Sequence, residues 1–196
     1  SIAENHLKLK EKIDWQVISL DSPGKSLAVN AALDVIDTDF FVMMDSDAYS
    51  SKFTLSRLID WFANPKIGGV CGQLEMDKSV KDPYRHSFNT MRVGESVWDS
   101  TPIFEGSVCG FRMKAIGNSR LNPDINADDS QLAMIVRSNG FNASMDPGIT
   151  FYESEKKISR KRSLRRAQGL SRAIFHRRDL LFGFGIYSRI FRNVLI

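Results

Sequence analysis

Two acidic pairs and one basic stretch hold most of the reactive side chains in this chain. "FFVMMDSDAY" (residues 40–49) is an apolar run that ends in Asp45 and Asp47, two carboxylates flanking a serine. Open α/β sheets place their ligand crevices at the carboxyl ends of such strands. Hard oxygen ligands there suit Mg2+ or Mn2+, which complete their shell with water and substrate phosphates. Aspartate is also common in the turns that close strands, so turn and metal site both stay open for these residues alone. A second pair, Asp128 and Asp129 in "NADDSQLA", opens an expected helix. Capping and the helix macrodipole favour acids there, and for the pair alone that is the simpler account. Two adjacent acids nevertheless exceed what a cap requires. One facing a cleft would be suited to take a proton from a hydroxyl.

The cations raise similar alternatives. "DSPGKS" is not a phosphate loop, because Ser19 stands where G-x-x-x-x-G-K-[ST] needs its first glycine. Lys25 is then a lone cation at the crevice mouth or a solvated first-turn residue. "RKRSLRRAQGLSRAIFHRRD" reads as a solvated helical face, a nucleic-acid patch, a membrane-surface helix or a diphosphate clamp. Aromatics are sparse within it, which weighs against single-stranded nucleic acid as a partner. Residues 151–196 carry 12 Lys/Arg against 3 Asp/Glu, whereas the first 150 carry 15 against 20. An acidic body thus bears a basic tail that needs an anionic partner or solvent.

These groups need elements to position them. "WQVISL" alternates like a strand, "KSLAVNAALDVI" reads as a helix packed on a sheet, and "DFFVMM" as a central strand apolar on both faces. "SSKFTLSRLIDWF" is a helix with Leu55, Leu58, Ile59 and Phe62 at helical spacing, and "IGGVCGQLEM" returns to strand. This βαβαβ rhythm predicts a layered α/β domain with a largely parallel sheet. "DPYRHSFNTMRVGESVW" follows as a helix with Met91 and Trp98 along one apolar face. After it come a glycine-broken strand or loop ("FEGSVCGFRM"), a helix closed by Gly140, and a strand ending in the turn "DPG". The length and the 42% hydrophobic and 26% charged content fit one globular domain with a real core. Cys71 and Cys109 match no ligand spacing and read as buried reduced thiols in a cytoplasmic protein, with a single bridge as the alternative. No signal peptide and no uninterrupted apolar run of membrane-spanning length is expected.

Taken in order, the pieces resemble a family 2 glycosyltransferase with the GT-A fold. "GKSLAVNAALDVIDTDFFVMMDSDA" is similar to the family's G-K-x-x-A-L-N helix, strand and D-x-D. "GGVCGQLEM" matches the next strand, and "FEGSVCGFRMKAI" the acceptor segment. "ADDSQLAMIVRSNGF" resembles the E-D-x-x-L helix, and "RSLRRAQGL" the [QR]-x-x-R-W segment of membrane-associated members. Asp128 replaces the usual Glu, and Arg166 replaces the Trp of processive polymerases. The family's opening strands, which hold the nucleotide base, have no counterpart here. A GT-A-like domain lacking its first strands is therefore expected over 1–155, followed by a basic, amphipathic segment over 156–196.

The resemblance implies an inverting transfer from a nucleotide-diphospho-sugar to a glycan or lipid-linked acceptor. Mg2+ or Mn2+ would be held by Asp45 and Asp47, and the diphosphate side completed by Asp45, Lys25, Arg162 and Arg165. Asp129, with Asp128 beside it, would serve as the base, and Gly106, Phe111 and Arg112 would shape the acceptor side. Two rivals are a haloacid-dehalogenase-like phosphatase and a non-catalytic module binding membrane or nucleic acid. Tyr49 departs from the phosphatase pattern, which places Thr or Val at that position. The tail, ending in "FGFGIYSRIFRNVLI", suits the anionic cytoplasmic face of a membrane, with arginines at headgroups and aromatics at the boundary. Liposomes containing anionic lipid are expected to float the whole chain but not a chain ending at residue 159. Equal flotation of both would remove the membrane role.

Overall fold

The computed structural model describes residues 14–75, 83–101, 103–125, 127–153 and 168, with only the backbone of 83–88 and 153. The basic segment, including Arg162 and Arg165, lies outside the described residues apart from position 168. Helices and strands follow one another as α1 (Lys25–Leu33), β1 (Phe40–Met44), β2 (Ala48–Ser50), α2 (Thr54–Phe62) and β3 (Ile67–Leu74). Then come α3 (Pro83–Trp98), β4 (Val108–Arg112), α4 (Met113–Ile116), α5 (Asp128–Ser138) and β5 (Asn142–Glu153). None of the described helices is long and apolar enough to cross a membrane.

The five strands form one sheet in the order β1-β4-β3-β5-β2. Alternation of side chains across it separates two apolar layers. Cys71, Cys109, Phe111 and Met145 face α5 and α4, joined by Leu132, Ala133 and Val136. Val70, Val108, Ile149 and Phe151 face the other way, onto Leu58 and Phe62 of α2. The layered α/β expectation therefore holds. Cys71 and Cys109 sit opposite each other across β3 and β4 as free, buried thiols.

The expected strand directions need correction. Only β3 and β5 run parallel, while β1–β4, β3–β4 and β2–β5 are antiparallel. A helix between strands suggests a crossover to a parallel neighbour, but here β4 inserts between β1 and β3 and reverses both contacts. The same insertion leaves β1 with one partner among the described residues. It is an edge strand there, with Val42 and Met44 exposed, rather than the central strand its composition suggested. "WQVISL" also pairs with no described strand and leaves Trp15, Val17, Ile18 and Leu20 exposed. An apolar alternating segment becomes a strand only where a ladder partner is supplied.

Helix faces differ from the periodicity in an informative way. On α2, Thr54, Leu58 and Phe62 are buried, whereas Leu55 and Ile59 are about 60% exposed. A nine-residue helix lying on a sheet buries the narrow i, i+4, i+8 stripe, and the adjacent row turns outward. Met91 and Trp98 of α3 are likewise exposed, because that helix packs through polar side chains. Ser96 Oγ accepts the Met145 N–H at 2.8 Å, and Thr101 Oγ1 donates to Glu95 at 2.7 Å.

"DPG" does not end its strand. Cys71 pairs with Met145 and Gln73 with Thr150, so a wide bulge at Asp146–Ile149 faces Gly72, and β5 resumes beyond it. Gly72 is required at this spot, since a Cβ there would lie 2.5 Å from the Ile149 carbonyl oxygen. Buried Asp146 holds the bulge by accepting from Arg57 Nε (2.6 Å) and Nη2 (2.9 Å), Trp61 Nε1 (2.6 Å) and the Gly148 N–H (2.8 Å). Although burial alone would raise the Asp146 pKa, these donors outweigh it and hold the carboxyl below its ordinary value. Asp146→Ala leaves the Arg57, Trp61 and Gly148 donors without their shared acceptor and is expected to lower the unfolding free energy by about 2 kcal/mol. Arg57→Ala, which removes a half-exposed side chain, should cost less. Urea unfolding showing Asp146→Ala equal to wild type would overturn the pin.

Candidate active site

Four segments far apart in the chain meet at one end of the sheet. Lys25 lies in the first turn of α1, Asp45 just beyond β1, Gly106 and Ser107 in the turn before β4, and Asp128 and Asp129 in the first turn of α5. A loop over residues 121–125 aligns the two helices. Asn30 of α1 donates from Nδ2 to the Leu121 carbonyl at 2.9 Å and accepts the Leu121 N–H on Oδ1 at 2.8 Å. Gln131 of α5 accepts the Asn122 N–H at 2.9 Å and donates to the Ile125 carbonyl at 3.0 Å. Both helices are thus tied to the same few backbone groups, which fixes Lys25 relative to Asp128.

The Lys25 ammonium sits 2.9 Å from Asp45 Oδ1 and 3.2 Å from Asp128 Oδ2. Partial burial works against the cation, but the Asp128 and Asp45 carboxylates outweigh it and hold its pKa above the ordinary lysine value. Asp128 is buried, and no described donor is aligned for a hydrogen bond on its Oδ2. Lys25, half-exposed, is therefore ion-paired with two carboxylates as well as solvated.

Asp45 also answers the turn question. In the turn after β1 the Ala48 N–H donates to the Asp45 carbonyl at 3.0 Å. The Asp45 carboxylate takes no part in that bond and instead meets Lys25 and, weakly at 3.4 Å, the Ser107 hydroxyl. The Asp45 N–H donates to the Ser107 carbonyl at 3.0 Å, fastening the two loops. Asp47 lies half-buried within the same turn. No three described His, Cys, Asp or Glu side chains converge as a complete metal cage. One or two carboxylates, with the remaining positions left to water and phosphate oxygens, do fit Mg2+ or Mn2+.

Asp129 stands apart from Lys25's direct contacts. Burial first, then the Asp128 charge, pushes its carboxyl up to about 7, with Glu105 adding to the rise. The Ser130 N–H, donating to its Oδ1 at 2.8 Å, and the more distant Lys25 charge pull in the opposite direction. A carboxyl that titrates near neutrality beside a cleft is suited to acid–base work. Gly106 forms its floor, as a Cβ at that position would lie 2.6 Å from Asp129 Oδ2. The helix start is strained, since Ala127 has φ 91 and ψ 54, a left-handed conformation rare for a residue with a side chain.

The structure therefore gathers Lys25, Asp45, Gly106, Asp128 and Asp129, with Asp47 in the adjoining turn. Phe111 and Arg112 do not join them. Phe111 is fully buried and stacks on Phe41 and Phe104. Arg112 pairs with Phe40 at the opposite end of β1, and its guanidinium donates to the carbonyls of Phe62 (2.7 Å) and Ile67 (3.0 Å). Phe111 is enclosed in the core and Arg112 is occupied at the far end of the strand, so the expectation of an acceptor role is corrected. Ser107, Asn30 and Gln131 were not foreseen. All three lie inside or beside quoted motifs, but their partners are remote in the chain.

A family model described as glycosyl transferase family 2 matches residues 1–119. Among solved structures, the chain is similar to the mannosyltransferase PcManGT from Pyrobaculum calidifontis, determined in complex with GDP-Man and Mn2+. That likeness has 30% identity and a TM-score of 0.73, over 89% of this chain and 48% of the other. TarS from S. aureus, in complex with UDP-GlcNAc, aligns at 16% identity and TM-score 0.58, over 81% of this chain and 47% of that one. Glucosyl-3-phosphoglycerate synthase from Mycobacterium tuberculosis, with Mn2+ and UDP-Glc, aligns at 11% identity and TM-score 0.55, over 81% and 56% respectively. The last two establish the fold alone. The chain spans about half the length of these structures. No curated protein sequence matches it. By the family match and the architecture that carries it, the chain belongs to glycosyl transferase family 2.

Proposed function

We propose that this domain transfers a sugar from a nucleotide-diphospho-sugar to an acceptor hydroxyl, with inversion, using Asp129 as the general base. The observation that carries this reading is the placement of the Asp129 carboxylate over Gly106 at a strained helix start, next to Asp128 in the cluster that Lys25 ties to Asp45. In the reaction Asp129 accepts the acceptor's O–H proton as that oxygen bonds to the anomeric carbon. The bond from that carbon to the diphosphate breaks on the opposite face, and its electron pair leaves with the nucleoside diphosphate. Asp129 must be ionised to start this cycle, whereas its neighbour Asp128 is engaged with Lys25. Lys25 supplies a fixed positive charge where the leaving group's negative charge grows.

Asp47 and Asp45 are the residues that would hold a divalent ion, a role supported by the Mn2+ and GDP-Man of the 30%-identical relative. When bound, such an ion neutralises charge on the leaving diphosphate. Arg162 and Arg165 would add to that neutralisation, by resemblance of their motif. The acceptor is a glycan or lipid-linked hydroxyl, and the basic tail would keep the domain at an anionic membrane surface. Membership of a transferase family leaves the phosphatase alternative without support.

Incubation with GDP-mannose or UDP-sugars, Mn2+ and glycan or lipid-linked acceptors should release the nucleoside diphosphate. The rate should rise with pH through about 7, as Asp129 ionises. Asp129→Asn should lower kcat by roughly 100-fold or more and abolish that limb. Full activity in this variant would end the base assignment.

The same group makes a stability prediction. Between its ordinary 3.8 and its folded value of about 7, folded Asp129 keeps a proton that the unfolded chain has released. Stability therefore falls as pH rises through that window. Asp129→Asn should be more stable than wild type at pH 8, by up to about 4 kcal/mol, and nearly equal to it at pH 4. Melting curves that coincide at both pH values would contradict the raised pKa.

For the ion, Asp47→Asn and Asp45→Asn should each weaken Mn2+ binding, measured calorimetrically with nucleoside diphosphate present, by at least tenfold. Unchanged binding in both would exclude these ligands.

A further inference from the structure

We propose that Arg92 and Glu105 form a positioning pair that fixes the Glu105–Ser107 turn beneath Asp129 and sets the charge surroundings of its carboxylate. The inference deepens the reading of Asp129 as the base, and rests on it for its meaning in catalysis.

Three separate elements converge on that short turn. From α3, Arg92 Nη1 donates to Glu105 Oε2 in an ion pair whose side chains are only 11% and 15% exposed. From β4, the Cys109 thiol donates to the Glu105 carbonyl at 3.1 Å. From the end of β1, Asp45 bonds Ser107 through both its backbone and its side chain. Gly106, between these anchored neighbours, is the residue whose missing Cβ makes room for Asp129 Oδ2. A displacement of the turn by even part of an ångström would press backbone against the carboxylate or open a gap beneath it.

Arg92 is itself braced. Its Nη1 also donates to Asn89 Oδ1 at 3.2 Å, Asn89 donates to Gln73 at 3.3 Å, and Gln73 donates to the Pro147 carbonyl at 2.9 Å. The position of Glu105 is therefore referred to β3 and to the bulge of β5. A buried ion pair is a poor source of net stability compared with apolar packing, so its value here is better sought in placement and charge. The groups around Asp129 are Asp128 on its own helix, Lys25 from α1, Glu105 from the turn, and the thiols of Cys71 and Cys109 from β3 and β4. Burial pushes both thiols up, Cys71 to about 12, so they are neutral at working pH. Glu105 is then the anion whose effect on Asp129 is governed by a partner outside the acid cluster, Arg92.

The pair predicts two opposite effects. Glu105→Gln keeps the shape and removes the anion, so the Asp129 midpoint should fall by roughly half a unit. Arg92→Met leaves Glu105 without its cation, so the midpoint should rise by a similar amount, and Arg92→Lys should restore it toward wild type. Carbon-13 NMR of aspartate-labelled chain reads the midpoint directly, the Asp129 signal being assigned by its loss in Asp129→Asn. Shifts of opposite sign establish the pair. Shifts of the same sign, or none in Glu105→Gln, overturn it, as a merely structural ion pair predicts. If Arg92→Met does not fold, Glu105→Gln and Arg92→Lys still decide the outcome. Because the titration needs no substrate, absence of sugar transfer with the expected shifts would reject the proposed function and leave the pair standing. Transfer by wild type with unshifted midpoints would do the reverse.

Discussion

The Lys25 ammonium, held between Asp45 and Asp128, is the contact on which the acidic end of the sheet depends. It joins the exit of β1 to the entrance of α5, two elements with no reason of their own to meet. Without it, the buried Asp128 carboxylate would lose its one ion-pair partner among the described residues, and an unpaired buried carboxylate costs several kcal/mol. The half-exposed ammonium loses part of its hydration there, and the two anions that share it more than offset that loss. Lys25 can reach both because Asn30 and Gln131 tie α1 and α5 to one loop. Those neutral hydrogen bonds are individually worth about 1 kcal/mol, yet they set the geometry in which the charged contacts succeed.

That contact also divides the roles of two adjacent acids. Asp128 takes the lysine. Asp129, one residue on, points to the Gly106 turn, where burial and the charge of its neighbour raise its affinity for a proton. The left-handed Ala127 is part of the same device, since a relaxed helix start would aim the pair differently. Burial first, then the Asp128 charge, with Glu105 adding to them, make an ordinary carboxyl titrate near neutrality against the opposing pull of the Ser130 N–H and the Lys25 charge. The body of the domain supports this end through the apolar layers on both faces of the sheet, and through the Asp146 pin that lets β5 bulge and continue.

Much of the architecture could be read in advance where local pattern governs. The helices at Lys25–Leu33, Thr54–Phe62 and Asp128–Ser138, with Gly140 after the last, follow from spacing and turn residues. Reading failed where a neighbour from elsewhere in the chain intervened. β1 looks central by composition but lies at the edge of the described sheet, and the insertion of β4 makes most pairings antiparallel. Leu55 and Ile59 match the helical period yet face outward, because only one row of a short helix touches a sheet. Arg112 sits in an acceptor-like motif, but the carbonyls of Phe62 and Ile67 already occupy it at the far end of the strand.

The order of the motifs, the two acid pairs and the lysine before the first described strand are local facts, and they suffice to point to the family. Which acid is bound to a cation and which titrates near 7 is not a local fact. Side-chain types and spacing encode helix periods, turns and burial, all of which act over a few residues. Coulomb forces and desolvation act through space, attracting Lys25 to Asp128 and setting Glu105 against Asp129, and chain order carries no distance between such pairs. Folding supplies that distance, and with it the difference between two neighbouring aspartates.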